Sequence, residues 1–172
     1  METKQKLISQ FKRVSDELLR LLSSLSSEDL NATPITKGWS AGQIGEHLYN
    51  SYAVVETLNG SVKKTERPPA EKVEKIETLF LDFDIKMKSP EAILPREDYI
   101  EKEWLLDSLK ERIDQLKAVI MHKDLTETCL DVIIPEYGEF TRLEWTHFNI
   151  VHTQRHIHQL KNIIKNHPYA TY

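Results

Sequence analysis

The residues with the clearest capacity for chemistry are histidines. His152 and His156 stand four apart in the segment NIVHTQRHIHQLKNII. On a helix, side chains at that spacing leave from one face, so two imidazoles can reach one metal ion. Taking His152 as origin and about 100° per residue, His156 lies about 40° away, and Trp145, Phe148, Gln159 and Ile163 fall within about 40° of the same line. The pair therefore belongs to an apolar, inward face. His147 and His158 fall among Gln154, Lys161 and Lys165 and are expected on the solvated side. Alone, a pair of this kind is more often two core histidines held by hydrogen bonds than a metal site. A metal site that does chemistry wants three protein ligands and an open position.

His47, in SAGQIGEHLYNSYAVVETL, offers the third ligand, because it shares an inward arc with Ile44, Val54 and Leu58. Its alternative is a core histidine bonded to a backbone carbonyl or a tyrosine hydroxyl, since a buried imidazole needs partners for its nitrogens. The other titratable groups have plainer readings. His122 and His167 read as cations at helix C-termini. Glu46 and Glu144 could act as general bases but read as solvated or capping residues, and Tyr49 and Tyr52 as packing beside His47. Gln159, one turn after His156, could bond a ligand or make an inter-helix hydrogen bond. Arg155, about 60° from His152, could meet a substrate carboxylate at the edge of a cleft or stay in solvent. Cys129 is the only cysteine, so the chain forms no internal disulfide, and without a cationic neighbour in sequence the thiol reads as structural.

Four long helices are expected to position these groups. The first spans about Thr3 to Ser24, with Leu7, Phe11, Val14, Leu18, Leu21, Leu22 and Leu25 as its stripe. After the connection SSEDLNATPITKGWS, the second starts at Ser40, where Gln43 completes a capping box and Trp39 is placed as a staple. It runs to Leu58 and stops at Asn59-Gly60. Residues 61–97 are irregular, with a short helix from about Ala70 to Phe80. The third long helix covers about Tyr99 to Met121. DLTETCLDVIIPEYGEF is a loop with a short extended or helical piece, and the fourth helix opens at Thr141, capped by Glu144, and ends near Asn166 before Pro168. The fold class is all-α: a four-helix bundle with a long irregular connection between helices 2 and 3, one domain over residues 1–172. Leu143, Ile150, Ile157 and Ile164 recur every seven residues on the fourth helix, a seam for neighbouring helices or for a homodimer.

Composition excludes several functions. The chain has 172 residues, 40% hydrophobic and 29% charged, with a net charge of −4, and Lys63-Lys64 is its densest basic run. Nucleic-acid binding needs a cationic face and is not expected. No segment approaches the ~18 apolar residues of a membrane helix, and METKQKLISQFKRVSDELLRLL lacks the apolar core of a signal peptide. A soluble, cytoplasmic protein is the expectation.

Two motifs carry a family resemblance. KGWSAGQIGEHLYNS resembles the Trp-Ser start of the second helix in the DinB-like (DinB/YfiT) superfamily, followed by its ligand histidine at His47. HTQRHIHQLKNI resembles that superfamily's C-terminal H-x-x-x-H helix at His152 and His156. Helix order and the irregular middle agree over nearly the whole chain. The resemblance implies a bundle holding a divalent metal, zinc or nickel, on His47, His152 and His156, and frequent homodimers. It implies a small-molecule thiol or electrophile as partner, because members with known activity include bacillithiol-type S-transferases and a mycothiol-dependent maleylpyruvate isomerase. Other members are assigned only to metal-dependent hydrolysis, and many have no activity assigned, so a non-catalytic metal- or ligand-binding bundle is the further alternative. Some members carry another histidine one turn after the first. Here that residue is Ser51, which leaves a fourth position to water or substrate.

Overall fold

A computed structural model of the chain describes residues 3–167; the expected stop at Pro168 lies outside them. The order is α1 (Lys4–Ser24), α2 (Ser27–Asn31), α3 (Ala41–Ser51), a 3-10 turn at Tyr52–Val54, α4 (Val55–Asn59), β1 (Val62–Lys63), α5 (Val73–Leu81), a 3-10 turn at Glu91–Ile93, α6 (Lys102–His122), β2 (Thr128–Ile134), β3 (Gly138–Thr141) and α7 (Arg142–Lys165).

The long helices form where apolar periodicity and caps coincide. Thr3 caps α1 by accepting from the Lys6 amide, and Leu7, Phe11, Val14, Leu18, Leu21 and Leu22 are buried along its stripe. Complete capping boxes open α3 (Ser40 with Gln43) and α7 (Thr141 with Glu144), each satisfying two otherwise orphaned amides. α1 packs on α6 and α7, and α3 also packs on α6 and α7. Their apolar faces meet in a core that includes Phe11, Leu18, Ile44, Leu48, Leu105, Leu109 and Leu160. Gly45 lets α3 approach closely: a Cβ there would lie 2.9 Å from Leu105 and 3.0 Å from Leu22. That close approach sets the depth of His47, two residues later.

The molecule is predominantly helical but not all-α. The expected loop at Asp124–Phe140 contains two strands, and with β1 they form a three-stranded antiparallel sheet in the order β1-β2-β3. Val62 lies opposite Cys129, and Thr128 opposite Thr141. The physical reason lies in the run Val132-Ile133-Ile134, whose β-branched side chains favour extended backbone. Pro135 and Glu136 then reverse the chain; Glu136 takes φ 69°, and the Tyr137 amide donates to the Ile134 carbonyl at 3.1 Å, as a type II turn requires.

Smaller differences concern continuity. The second helix does not run unbroken to Leu58 but tightens through the turn at Tyr52–Val54 before α4. The connection after α1 holds the short helix α2, capped by Ser26 accepting from the Asp29 amide. The seven-residue seam of α7 is used inside this chain: Leu143, Ile150 and Ile157 are buried and Ile164 half-buried. No described helix is long and apolar enough to cross a membrane.

Candidate metal centre

α3 and α7 bring His47, His152 and His156 together, with one nitrogen of each within 4.8 Å of the others. His47 Nε2 is 3.1 Å from His152 Nε2, and His156 Nε2 is also 3.1 Å from His152 Nε2. Two nitrogens bound to one ion at about 2.0–2.1 Å and roughly 100° apart would be separated by about 3.2 Å. The spacing is that of ligands around a common centre. The rings are 1%, 5% and 8% exposed for His47, His152 and His156, so nearby water cannot satisfy them freely.

The outer nitrogens decide what faces the centre. His47 Nδ1 lies 2.8 Å from the Ile93 carbonyl, and His156 Nδ1 lies 3.0 Å from Gln159 Oε1. Both partners are acceptors, so both Nδ1 atoms carry the proton and both Nε2 atoms present a lone pair inward. His152 Nε2 can donate a proton to one of them, never to both. One lone pair is therefore left facing another nitrogen in a buried space. A cation shared by the three Nε2 atoms would resolve this, and the donor set fits a divalent metal of borderline softness. Ser51 Oγ, 3.2 Å from His152 Nδ1, completes the set of outer contacts.

Burial also sets the charge. His47 titrates below the ordinary histidine range because burial disfavours its cation, an effect the Ile93 carbonyl partly opposes. His152 lies well below that range, first through burial and then through His156, His47 and Arg155. His156 is pushed down to about 3, chiefly by burial. All three are neutral at neutral pH, the form that binds metal.

Aromatic rings wall the cluster. Trp39 lies 4.8 Å from His47 and 6.5 Å from His156, while Phe148 stacks on His152 at 5.0 Å and Phe80 meets its edge at 5.7 Å. The groove between the α3–α4 region and α6, lined by Tyr49, Glu56, Glu111 and Arg112, contains none of the three histidines.

Several sequence expectations change here. His147 is buried, not solvated, because α5 packs across that side of α7 and brings Glu77 Oε1 to 3.0 Å from His147 Nδ1. His158 is exposed as expected and stacks on Phe83 at 4.2 Å. Arg155 is neither in free solvent nor aimed at the cluster's centre, since its guanidinium donates to the Asp82 carbonyl at 2.8 Å and to the Ile85 carbonyl. Gln159 bonds within its own helix. Glu46 is buried, not solvated, and pairs with Arg96 Nε at 2.5 Å. Glu144 caps α7 and receives both Arg67 Nη atoms, at 2.7 and 2.8 Å. Cys129 is buried, and burial pushes its thiol up to about 11. The Ile93 carbonyl is the one contributor with no side-chain signal in the sequence.

A family model described as the DinB superfamily matches residues 10–160. A relative from Bacillus subtilis (strain 168), named "Uncharacterized protein YuaE", is 29% identical over 150 residues, covering 83% of this chain and 87% of its own length.

Proposed function

The chain belongs to the DinB superfamily, and on that premise we propose that His47, His152 and His156 bind one divalent metal ion, zinc or nickel, in a metal-dependent enzyme that transfers a low-molecular-weight thiol to an electrophile. In this reading α1, α3 with α4, α6 and α7 are the four helices of a bundle, to which the sheet is an addition. The observation that carries the proposal is the convergence of three neutral imidazoles on one point, two of them, His47 and His156, in tautomers that present a lone pair there. When bound there, a divalent ion would favour the deprotonated form of a thiol or a water.

The chain's own residues favour the thiol. The buried carboxylates among the described residues are Glu46 and Glu144, and both are engaged by arginines, Arg96 and Arg67. Neither is free to take a proton from water. A thiol, with an ordinary pKa of about 8.5, needs far less help than water does. Cys129 cannot supply that thiol from within, because it is buried and its proton is held tightly, so the nucleophile must come as a second ligand. The aromatic walls, Trp39, Phe80 and Phe148, suit an apolar electrophile beside the cluster. Metal-dependent hydrolysis is the runner-up, and a homodimer would use a surface other than the α7 seam.

The test is metal content of untagged protein beside a His152→Ala/His156→Ala variant, followed by thiol-conjugation assays with a chromogenic electrophile. Stoichiometric metal in the wild type alone, with metal-dependent conjugation, supports the reading. Metal without conjugation but with ester or amide cleavage favours the hydrolase. Metal with neither activity makes this a binding bundle.

A further inference from the structure

Residues 82–98 form most of the connection from α5 to α6 and bury none of their side chains, the connection's first fully buried residue being Ile100 beyond them. Phe83 stacks on His158 and the Arg96 guanidinium lies 4.5 Å from the Trp104 ring of α6, while the hydrogen bonds that hold this segment to the rest of the fold fall on the two helices that carry the histidines. At its start, Arg155, the neighbour of His156, donates to the Asp82 and Ile85 carbonyls. At its end, four residues of α3 grip residues 93–96. His47 Nδ1 donates to the Ile93 carbonyl at 2.8 Å, and Asn50 Nδ2 to the Leu94 carbonyl at 3.1 Å. Glu46 accepts from the Arg96 amide at 2.7 Å and from its Nε at 2.5 Å, while Gln43 Nε2 donates to the Arg96 carbonyl at 3.0 Å.

Gln43, Glu46, His47 and Asn50 are spaced three, one and three apart, the spacing of one helical face. A stripe of α3 is thus committed to a segment that no apolar core retains. One of these four residues is a candidate metal ligand, and its contact with Ile93 fixes which of its nitrogens faces the centre.

We propose that residues 82–98 are a latch whose docking on α3 and ion occupancy of the histidine cluster stabilise each other through His47 and Ile93. This rests on the metal-binding reading above. With the latch docked, the His47 ring is oriented and its Nε2 lone pair points to the centre. An ion on Nε2 holds the ring in that same orientation and makes Nδ1–H a stronger donor to the Ile93 carbonyl. Coupling of this kind is reciprocal: whatever the ion adds to latch docking, docking adds to ion affinity.

The experiment follows trypsin cleavage at Lys86 and Lys88 and hydrogen exchange of the Arg96 amide in the full chain, with and without zinc or nickel. Ion affinity is measured for wild type, Arg96→Ala and Asn50→Ala. The expected result is that the ion slows both cleavage and exchange by about 5- to 100-fold, and that each variant binds the ion more weakly by a factor in the same range. The half-exposed Asn50 keeps the test open if Arg96→Ala disturbs folding. Should the ion bind while cleavage and exchange stay unchanged and the variants bind as tightly as wild type, the latch is overturned and the metal reading stands. Should folded wild type bind no ion, both fall.

Discussion

Gln159 Oε1 sits 3.0 Å from His156 Nδ1, one helical turn along the same face of α7. A neutral amide oxygen there does what a carboxylate does in many metal sites: it holds the proton on the outer nitrogen and turns the ring's lone pair inward. Gln159→Leu should lower zinc or nickel affinity by about 10- to 100-fold with little change in the stability of the metal-free protein. Competition against a chelator of known affinity measures this. Unchanged affinity would show that helix geometry alone orients His156.

The metal-free protein should be acid-sensitive. The three histidines titrate below the ordinary range when folded and near 6.5 when unfolded. Between those values the unfolded chain binds more protons, so stability is full above about pH 6.5 and falls as the pH drops toward the folded values. The slope should approach 1.4 kcal/mol per pH unit for each histidine that stays neutral. Urea melts at pH 7.0 and 5.5 should show the loss, and His156→Gln should shrink it. A wild type equally stable at both pH values would refute the assignment of buried neutral histidines. Bound metal should deepen the pH dependence, since protons then compete with the ion.

Arg67→Met should destabilise the fold by about 3 kcal/mol, near the low end for breaking a buried pair because Arg67 is partly exposed. It would leave Glu144, which is fully buried, without the guanidinium that meets both its oxygens. The Lys72 and Thr141 amides, each 2.9 Å from that carboxylate, would remain. Chemical denaturation reads the change, and the double variant Arg67→Met/Glu144→Gln should recover part of it. A loss below 1 kcal/mol would mean solvent already screens the pair.

Cys129 should resist thiol reagents in the folded protein. It is buried in β2 with its proton held to about pH 11, whereas an unfolded cysteine titrates near 8.5. Labelling with a disulfide reagent at pH 8 should be slow in buffer and fast in denaturant. Fast native labelling would put an accessible thiol in the molecule and reopen Cys129 as a participant.

Much of this protein is decided by local sequence. Capping boxes at Ser40/Gln43 and Thr141/Glu144 start α3 and α7 where the residues stand, because a cap needs only neighbours three residues away. The i, i+4 spacing of His152 and His156 dictates a shared face for the same reason, and apolar periodicity turns that face inward. The meeting of His47 with His152 is different. It depends on α3 packing against α7, which periodicity makes favourable but cannot place: the inward arc made His47 a candidate, and the motif resemblance joined it to His152 and His156. Only the tertiary structure decided which acids are buried, since Glu46 and Glu144 are polar in any window and are paired, once buried, with arginines 50 and 77 residues away. It alone covered His147 with α5, paired β2 with β1 and β3, and delivered the Ile93 carbonyl to His47. A backbone carbonyl looks the same at every position of a sequence, and its role is set by where the chain returns.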